Sequence, residues 1–341
     1  MDIVVDILKQ LNIVPVPLLD GQAQVVRARA LLEANREGVF HALAESPDGM
    51  TSAELAEKLG FAPDGANVLL RALNSMGYLR ERRGRYSNGR WVRRWILDPK
   101  RGLHYRLRLQ LYTYHRLEGL GQNLKTGRPT MDFHAMDAAN PTPQQETYTR
   151  AMREAARLII PDLLKRAAVP PKVERMLDIG GAHGEYSRAF VNRFAGLKAK
   201  MIDLAGPVAT AAKIMEEEGN PEGLELAVGD ALRDDFGKNW DLVLLANMVH
   251  LFNTEQNVDM FKRCRAALKP GGSLLVMDQF TGLGRRRDHI FAVISLNFFN
   301  VGGKAYDVSE MNAMLREAGF DKIQSKPFSL RTPGALIQAW A

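Results

Sequence analysis

The stretch RMLDIGGAHGEYS, Arg175–Ser187, decides the fold, because an apolar run ends in an aspartate and leads into a cluster of glycines. A strand that feeds a glycine turn and then a helix is a mononucleotide-binding arrangement. The N-terminus of such a helix presents unpaired N–H groups, and the glycines let a ligand approach the backbone. The stretch therefore predicts a cofactor site, and the glycine spacing indicates which cofactor.

A dinucleotide site has the spacing G-x-G-x-x-G, because its pyrophosphate approaches the backbone closely at the turn. Counted from Gly180, the second and third glycines of that pattern fall on Ala182 and Glu185. The chain has its next glycines at Gly181 and Gly184 instead. The spacing therefore disfavours a nicotinamide or flavin cofactor.

Acidic residues at the ends of predicted strands favour S-adenosylmethionine (SAM). SAM has no phosphate and carries an ammonium, a sulfonium and a ribose diol, so carboxylates attract it where they would repel a pyrophosphate. Asp178, Asp203 and Asp230 each end a predicted strand. Asp203 suits the ribose hydroxyls, and Asp230 the adenine amine. Any one of them could be a helix N-cap, but the three together predict SAM.

The chain from residue 173 alternates strand-like and helix-like segments. The strand-like segments are VERMLDI, KAKMID, LELAV, DLVLLAN and SLLVMDQ, and amphipathic stretches such as GPVATAAKIMEEEG and TEQNVDMFKRCRAALKPGG separate them. This alternation predicts an α/β fold with a Rossmann-like, doubly wound and mainly parallel sheet. We assign residues 101–341 to this domain, with 101–170 as a helical lead-in on the substrate side.

The first hundred residues follow a different pattern. Residues 24–45 have helical periodicity, and GMTSAELAEKLGF carries a cap signal with Thr51 or Ser52 ahead of Glu54. A turn, APDG, precedes a second helix, and YLRERRGRYSNG reads as two short strands around a glycine turn. Helix, helix-turn-helix and hairpin together predict a mainly helical winged-helix domain over residues 1–100.

With these motifs in place, the chain resembles the plant-type and bacterial small-molecule, SAM-dependent O-methyltransferases. The resemblance rests on MLDIGGAHGEYS, MIDLAGP, VGDAL and LKPGGSLLVMD, and on LKTGRPT and YTRAMREAA ahead of the glycine turn. It implies a winged-helix dimerisation domain, a homodimer, and a class I methyltransferase domain. The sheet of that domain has seven strands, and its last strand, here ALIQAWA, is antiparallel.

The resemblance also implies a set of cofactor contacts. A lysine of the family that touches the adenine edge is replaced here by Ala246. Tyr148 and Met152 are expected beside cofactor and substrate. The predicted cofactor-binding residues are Asp178, Gly180, Gly181, Asp203, Asp230, Ala231 and Met152.

The predicted catalytic residue is His250, which follows the strand DLVLLAN on the ligand side of the sheet. A hydroxyl with a pKa near 10 is a poor nucleophile at neutral pH, and histidine is the natural general base. The resemblance places the family's base at this position. Asp278 matches one supporting carboxylate, whereas Leu251 and Ala305 replace two others. Three explanations for the two missing carboxylates remain open. The first is that Asp278 suffices to orient the imidazole; the second is an acceptor acidic enough to need little help from a base; the third is methylation of a carbon or nitrogen, where the histidine matters less.

The methyl acceptor is expected to be a small, aromatic metabolite. We assign substrate binding to Tyr148, Phe291, Asn297 and Phe298. Further aromatic candidates for the pocket are Tyr112, His115, Trp240 and Phe299. His183, inside the glycine turn, is expected to pack rather than to bind the methionine end of SAM.

The formal charge of +7 is unevenly distributed, because the segment from Arg80 to Arg108 holds eleven basic residues and two acids. The best explanation of these basic residues is that they form a solvent-exposed face. The second is binding of an acidic substrate or surface, and the third is binding of nucleic acid. The second helix of the winged-helix pattern carries one basic residue, Arg71, and suits packing better than DNA recognition. A SAM sensor without catalysis is the remaining alternative.

The other composition signals are plain. The single cysteine, Cys264, excludes an intrachain disulfide and is expected to be a buried, inert thiol in a reducing, cytoplasmic compartment. The apolar leader of residues 1–21 carries acids and two prolines, so we expect no signal peptide and no membrane helix. The remaining histidines, His134 among them, show no metal-ligand spacing, and we expect no metal.

Overall fold

The computed structural model describes residues 19–129, 141–329 and 334–341, together with residues 17 and 332. Most of the apolar leader and His134 lie outside the described residues. The chain forms two compact units, Met1–Leu111 and Tyr112–Ala341. The boundary predicted at residue 100 lies inside the first unit. Within the described part of the chain, no helix has the length and apolar character that a bilayer span requires.

The first unit is mainly helical and contains one small antiparallel hairpin. After a π-helical turn at Leu19–Ala23, its helices are α1 (Gln24–Arg36), α2 (Val39–Ala44), α3 (Ser52–Leu59), α4 (Pro63–Ser75), α5 (Arg90–Trp95) and α6 (His104–Arg116), which carries the unit boundary. Strands β1 (Leu79–Arg82) and β2 (Arg85–Asn88) pair between α4 and α5. Phe40, Leu55, Leu70 and Leu73 are fully buried in its core.

Local chemistry explains where these elements begin and end. Residues 24–45 are helical as expected, but they form two helices, because Gly38 adopts φ +78° and separates α1 from α2. The cap expected at α3 is confirmed, since Thr51 and Glu54 form a reciprocal capping box. The turn expected at APDG is wrong: Pro63 occupies the first turn of α4, where its missing N–H costs nothing.

The second unit is a three-layer α/β domain. Ahead of the sheet lie α7 (Leu120–Thr126) and α8 (Pro143–Arg166). The sheet strands are β3 (Arg175–Ile179), β4 (Lys198–Asp203), β5 (Leu224–Val228), β6 (Trp240–Ala246), β7 (Leu268–Asp278), β8 (Lys322–Pro327) and β9 (Ala335–Trp340). Helices α9 (Glu185–Arg193), α10 (Ala205–Glu218), α11 (Thr254–Ala267), α12 (Arg285–Phe299) and α13 (Val308–Glu317) connect them.

The seven strands are ordered β5-β4-β3-β6-β7-β9-β8. The first five are parallel, and β9 is antiparallel to both of its neighbours, which confirms the expected antiparallel last strand. Strand β7 begins at Leu268, so the residues LKPGG belong to a strand and not to the end of the preceding helix. The chain order reverses between β3 and β6, and a crevice at the carboxyl ends of strands is the usual ligand site there.

Candidate active site

A cavity of about 440 Å³ lies at the carboxyl ends of the parallel strands. It is lined by four of the turns that follow strands and by one face of helix α8. The predicted cofactor residues that line it are Met152, Gly180, Gly181, Asp203, Asp230 and Ala231, and Tyr148 and Ala246 line it as well. The structure therefore brings together residues that lie far apart in the sequence.

The glycine turn is packed too closely for side chains. A Cβ on Gly180, whose φ is +68°, would overlap the Met248 side chain. A Cβ on Gly181 would overlap Met201 and lie 2.8 Å from the Asp178 carboxyl. Neighbouring groups approach both glycines closely, and at Gly180 the left-handed backbone favours glycine as well. The result is an open backbone cradle on the floor of the cavity.

Asp178 lies beneath this cradle and is fully buried. Ser187 Oγ donates to its Oδ2 at 2.7 Å, while its Oδ1 has no hydrogen-bond partner among the described residues. Burial raises the pKa of the Asp178 carboxyl to about 7. Asp178 is not itself among the residues that line the cavity, but its carboxyl lies next to Gly181, which is. A carboxyl with an unfilled acceptor behind the cavity wall favours a cationic ligand by its charge, so the site fits the ammonium and sulfonium of SAM.

Asp203 is held by the turn it faces. The N–H of Ala182, in a left-handed backbone conformation with φ +43°, donates to Asp203 Oδ2 at 2.8 Å. Leu204 N–H donates to Oδ1 at 2.7 Å. Each carboxylate oxygen can accept more than one hydrogen bond, so Asp203 held in this orientation can also accept from the ribose hydroxyls of SAM. This linkage fixes the turn after β4 against the turn after β3.

Asp230 is held in a similar way at the end of β5. Its Oδ1 accepts from Leu232 N–H at 2.8 Å, and Arg233 Nε lies 3.5 Å from its Oδ2. Ala231, directly after it, is nearly buried and lines the same wall. Ala246, at the end of β6, lines the cavity with a methyl group where the resemblance leads one to expect a lysine.

Helix α8 forms another wall. Tyr148 and Met152 line the cavity, and so do Gln145 and Thr149, which the sequence analysis missed. These positions recur at i, i+3, i+4 and i+7, which is one face of a helix. That spacing around Tyr148 and Met152 was visible in the sequence and could have identified both residues.

His250 and Asp278 meet at the carboxyl ends of the neighbouring strands β6 and β7. His250 lies in a short 3₁₀ turn, Val249–Leu251, and Asp278 is the last residue of β7. The Nδ1 atom of His250 lies 3.0 Å from Asp278 Oδ1 and 2.9 Å from Oδ2. The His250 ring stacks on Phe298 with a centroid distance of 4.1 Å and an interplanar angle of 7°. The imidazole is therefore fixed on one edge and one face.

The two lost carboxylate positions have different surroundings. Leu251 lines the cavity, so an apolar side chain faces the site where the family has an acid. Ala305 follows Lys304, whose backbone N–H donates to the His250 carbonyl at 2.8 Å. Among the described residues, Asp278 is the carboxylate that contacts the imidazole, through both of its oxygens.

The predicted acceptor residues on α12 are not among the residues that line the cavity, and neither is His250. Phe298 stacks on the imidazole, and Phe291 is buried. The Oδ1 atom of Asn297 is buried without a hydrogen-bond partner among the described residues. Phe299 is half-buried at the end of the same helix. Asn297 therefore has an unused acceptor on the helix that carries Phe298.

The other acceptor candidates do not fit the site. Trp240 is wrong, because it begins β6 and so lies at the edge of the sheet opposite the cavity, where its Nε1 donates to Phe236 O. His115 is exposed and pairs with Glu118 at 3.3 Å. Tyr112 is half-buried on α6 and is not among the residues that line the cavity. Aromatic type alone could not show which end of a strand or helix is involved.

His183 and Cys264 are both buried. His183 lines the cavity, accepts from Glu185 N–H at 3.0 Å, and has its pKa lowered to about 4 by burial, so it is neutral. Cys264 is fully buried, and burial raises the pKa of its thiol, as expected for an inert packing residue. The described residues contain no cluster of three or more His, Cys, Asp or Glu side chains suited to a metal.

Two family models match this chain. The O-methyltransferase domain matches residues 118–321, and the O-methyltransferase dimerisation domain matches residues 23–97. The chain belongs to the O-methyltransferase family. This O-methyltransferase is an enzyme that uses SAM, and the cavity at the glycine turn fits that cofactor.

Individual relatives of this O-methyltransferase span nearly its whole length. The 3-hydroxy-5-methyl-1-naphthoate 3-O-methyltransferase of Streptomyces sahachiroi is 24% identical over 94% of this chain and 93% of its own. The acetylserotonin O-methyltransferase of Bos taurus is 25% identical over 88% of this chain and 90% of its own. The crystal structure of human N-acetylserotonin methyltransferase with SAM matches the fold with a TM-score of 0.84, at 22% identity and with 95% and 96% of the two chains covered.

Proposed function

We propose that this O-methyltransferase transfers the methyl group of SAM to a hydroxyl of a small aromatic metabolite, with His250 as the general base. The observation that supports this most directly is the contact of His250 Nδ1 with both carboxylate oxygens of the buried Asp278, while the imidazole stacks on Phe298. SAM supplies an electrophilic methyl group on a sulfonium when it is bound. The residues of the chain must then bind, orient and deprotonate the acceptor.

The carboxylate sets the tautomer of the base. Because Asp278 accepts from Nδ1, the neutral imidazole carries its lone pair on Nε2, and that atom takes the proton of the acceptor hydroxyl. The imidazolium that results is stabilised by the same carboxylate, whose side chain is 1% exposed. Asp278 therefore acts by orienting and stabilising His250 and takes no proton itself.

The acceptor is held between the base and the cofactor wall. We assign Tyr148, Phe291, Asn297 and Phe298 to this role, because Tyr148 lines the cavity, Phe298 stacks on the imidazole, and Phe291 and Asn297 lie on the same helix as Phe298. The unpaired Asn297 Oδ1 suits a polar substituent of the ring. Methyl transfer is an in-line displacement, so holding the oxygen close to the methyl group supplies much of the rate.

We further propose that the enzyme works as a homodimer through the first unit, with residues 1–100 as its dimerisation domain. The family match over residues 23–97 supports this, and so do exposed apolar side chains such as Val68 and Trp91. The buried, unreactive Cys264 fits a reducing, cytoplasmic compartment. The net charge of the Arg80–Arg108 segment is assigned to a solvated face.

The decisive experiment compares His250→Ala with Asp278→Asn on the acceptor that the enzyme turns over. We expect His250→Ala to lower kcat by about 10²–10⁴, with SAM affinity nearly unchanged. Asp278→Asn should cost less, because it still accepts from Nδ1 but stabilises the imidazolium poorly. Full turnover by His250→Ala would remove the base role and favour methylation of a carbon, a nitrogen or an already ionised oxygen.

A further inference from the structure

Helix α8 carries three arginines on one face that the reaction described above does not use. Arg150, Arg153 and Arg157 are three and four residues apart, so their side chains project in the same direction. They meet carboxylates on two other helices: Glu185 in the first turn of α9, and Glu217 and Glu218 at the end of α10.

These contacts fall into two groups, a pair around Arg150 and a network in which Arg153 and Arg157 share the same two carboxylates. Arg150 binds Glu217 through two N–H groups, at 2.9 and 2.6 Å. Arg153 Nε donates to Glu185 Oε2 at 2.9 Å, and its Nη2 pairs with Glu218. Arg157 donates from Nε to Glu185 at 3.1 Å and from Nη2 to Glu218 at 3.1 Å.

Arg153 is the centre of the network and is 6% exposed. Burial opposes the charge of Glu185, but Arg153 and Arg157 outweigh this effect and lower the pKa of its carboxyl. A buried charge is tolerated only when it is paired, so Arg153 requires both carboxylates in place. Its contacts therefore fix the separation of α8 from α9 and α10.

The network joins two walls of the cofactor cavity. On one side, Glu185 directly follows Gly184, and its N–H donates to His183, which lines the cavity. On the other side, Met152 lies directly before Arg153 and also lines the cavity. A shift of the guanidinium between its two carboxylates would thus move the helix wall relative to the glycine turn.

We propose that Arg153 is a positioning residue for SAM, which holds α8 against the glycine turn and so transmits cofactor occupancy to the helix that carries Tyr148. Binding at the glycine turn should rigidify α8, and this order in turn should strengthen binding. The proposal depends on the SAM site alone, and it stands whether or not His250 is the base.

The test measures binding of S-adenosylhomocysteine by calorimetry and amide hydrogen exchange over residues 143–166. Arg153→Met should weaken binding by about tenfold and abolish the slowing of exchange that the ligand produces in α8. The affinity of Arg153→Lys should lie between those of the wild type and Arg153→Met, because a single ammonium replaces a guanidinium that contacts two carboxylates. Arg166→Met is the matched control, since Arg166 lies on the same helix and pairs with Asp162 at 2.6 Å.

The control should lose stability without losing affinity or the exchange response. If Arg153→Met binds the ligand as tightly as the wild type and keeps the exchange response, the proposal is overturned and the network is only structural. If Arg153→Met does not fold, the test uses Glu218→Gln instead. This substitution removes one of the two carboxylates that Arg153 contacts, and the protein should still fold because the Glu218 side chain is 38% exposed. Glu218→Gln should weaken binding severalfold, and wild-type affinity would again overturn the proposal.

Discussion

Among single residues, the buried Asp178 carboxyl gives a prediction about pH. Its pKa is raised from 3.8 to about 7 by burial, so the native protein holds a proton there that the unfolded chain has lost. The carboxyl therefore lowers the free energy of unfolding as the pH rises through that window. A bound sulfonium or ammonium favours the ionised form, so SAM binding should release protons near neutral pH.

Calorimetry in two buffers with different ionisation enthalpies measures this release. We expect SAM affinity to increase between about pH 6 and about pH 8, and Asp178→Asn to abolish both the release and the pH dependence. Proton release that persists in Asp178→Asn would assign it to another group and contradict the prediction.

Asp203 gives a second prediction at this scale. Its carboxylate accepts from Ala182 and Leu204 and is expected to bind the ribose hydroxyls of SAM. Asp203→Ala should weaken SAM binding by about 1.5–3 kcal/mol, the range for a hydrogen bond to a charged group. Titration of SAM into the variant measures this loss. Titration of NAD into the wild type is the control, because tight NAD binding without SAM binding would contradict the cofactor assignment.

At the scale of elements, the network between α8, α9 and α10 makes stability depend on acid. Lysine and arginine partners lower the pKa of Glu146, Glu217 and Glu218 below 4.5, and Arg153 and Arg157 do so for Glu185 against the opposing effect of burial. Lowered carboxyl pKa values add stability above the unfolded value, and this stability is lost as the pH falls through the folded values.

Thermal unfolding between about pH 6 and about pH 3.5 tests this dependence. The wild-type Tm should fall more steeply below pH 4.5 than that of Glu218→Gln, which has one such carboxylate fewer. Equal slopes would show that Glu218 contributes nothing to acid sensitivity and would contradict this prediction.

At the scale of the whole molecule, we predict a homodimer. Val68 on α4 is 66% exposed, and Val228 in the second unit is 65% exposed. Val68→Asp should shift the light-scattering mass at micromolar concentration toward the monomer, because a charge then enters an apolar contact. Val228→Asp, the matched control, should leave the dimer intact. A wild-type monomer would contradict the proposal.

The basic segment is the other whole-molecule question. Eleven basic residues between Arg80 and Arg108 would support DNA binding only through phosphates, since the second helix of the winged-helix pattern has one basic residue. Such contacts weaken steeply with salt, so we expect no measurable duplex binding at about 200 mM salt. Retained binding under those conditions would reverse the assignment to a solvated face.

The sequence by itself determined the architecture and the cofactor. The alternation of strands and helices, the glycine spacing and the acids at strand ends are local patterns, and parallel strands place their carboxyl ends together whatever the packing details are. The resemblance to the family pointed to His250 and Asp278, and the strand pattern placed them just past and at the end of their strands. The Thr51 cap was visible for the same reason, because a capping box spans only four residues.

Only the tertiary structure decided which side chains meet. The contact of His250 Nδ1 with both Asp278 oxygens depends on the register of β6 and β7, and the stacking of the imidazole on Phe298 depends on how α12 packs. Trp240 was misplaced because residue type does not show which edge of the sheet a position occupies. The pairing of Arg153 with Glu185 and Glu218 joins residues more than thirty positions apart, and long-range contacts of this kind are fixed by packing rather than by any local pattern.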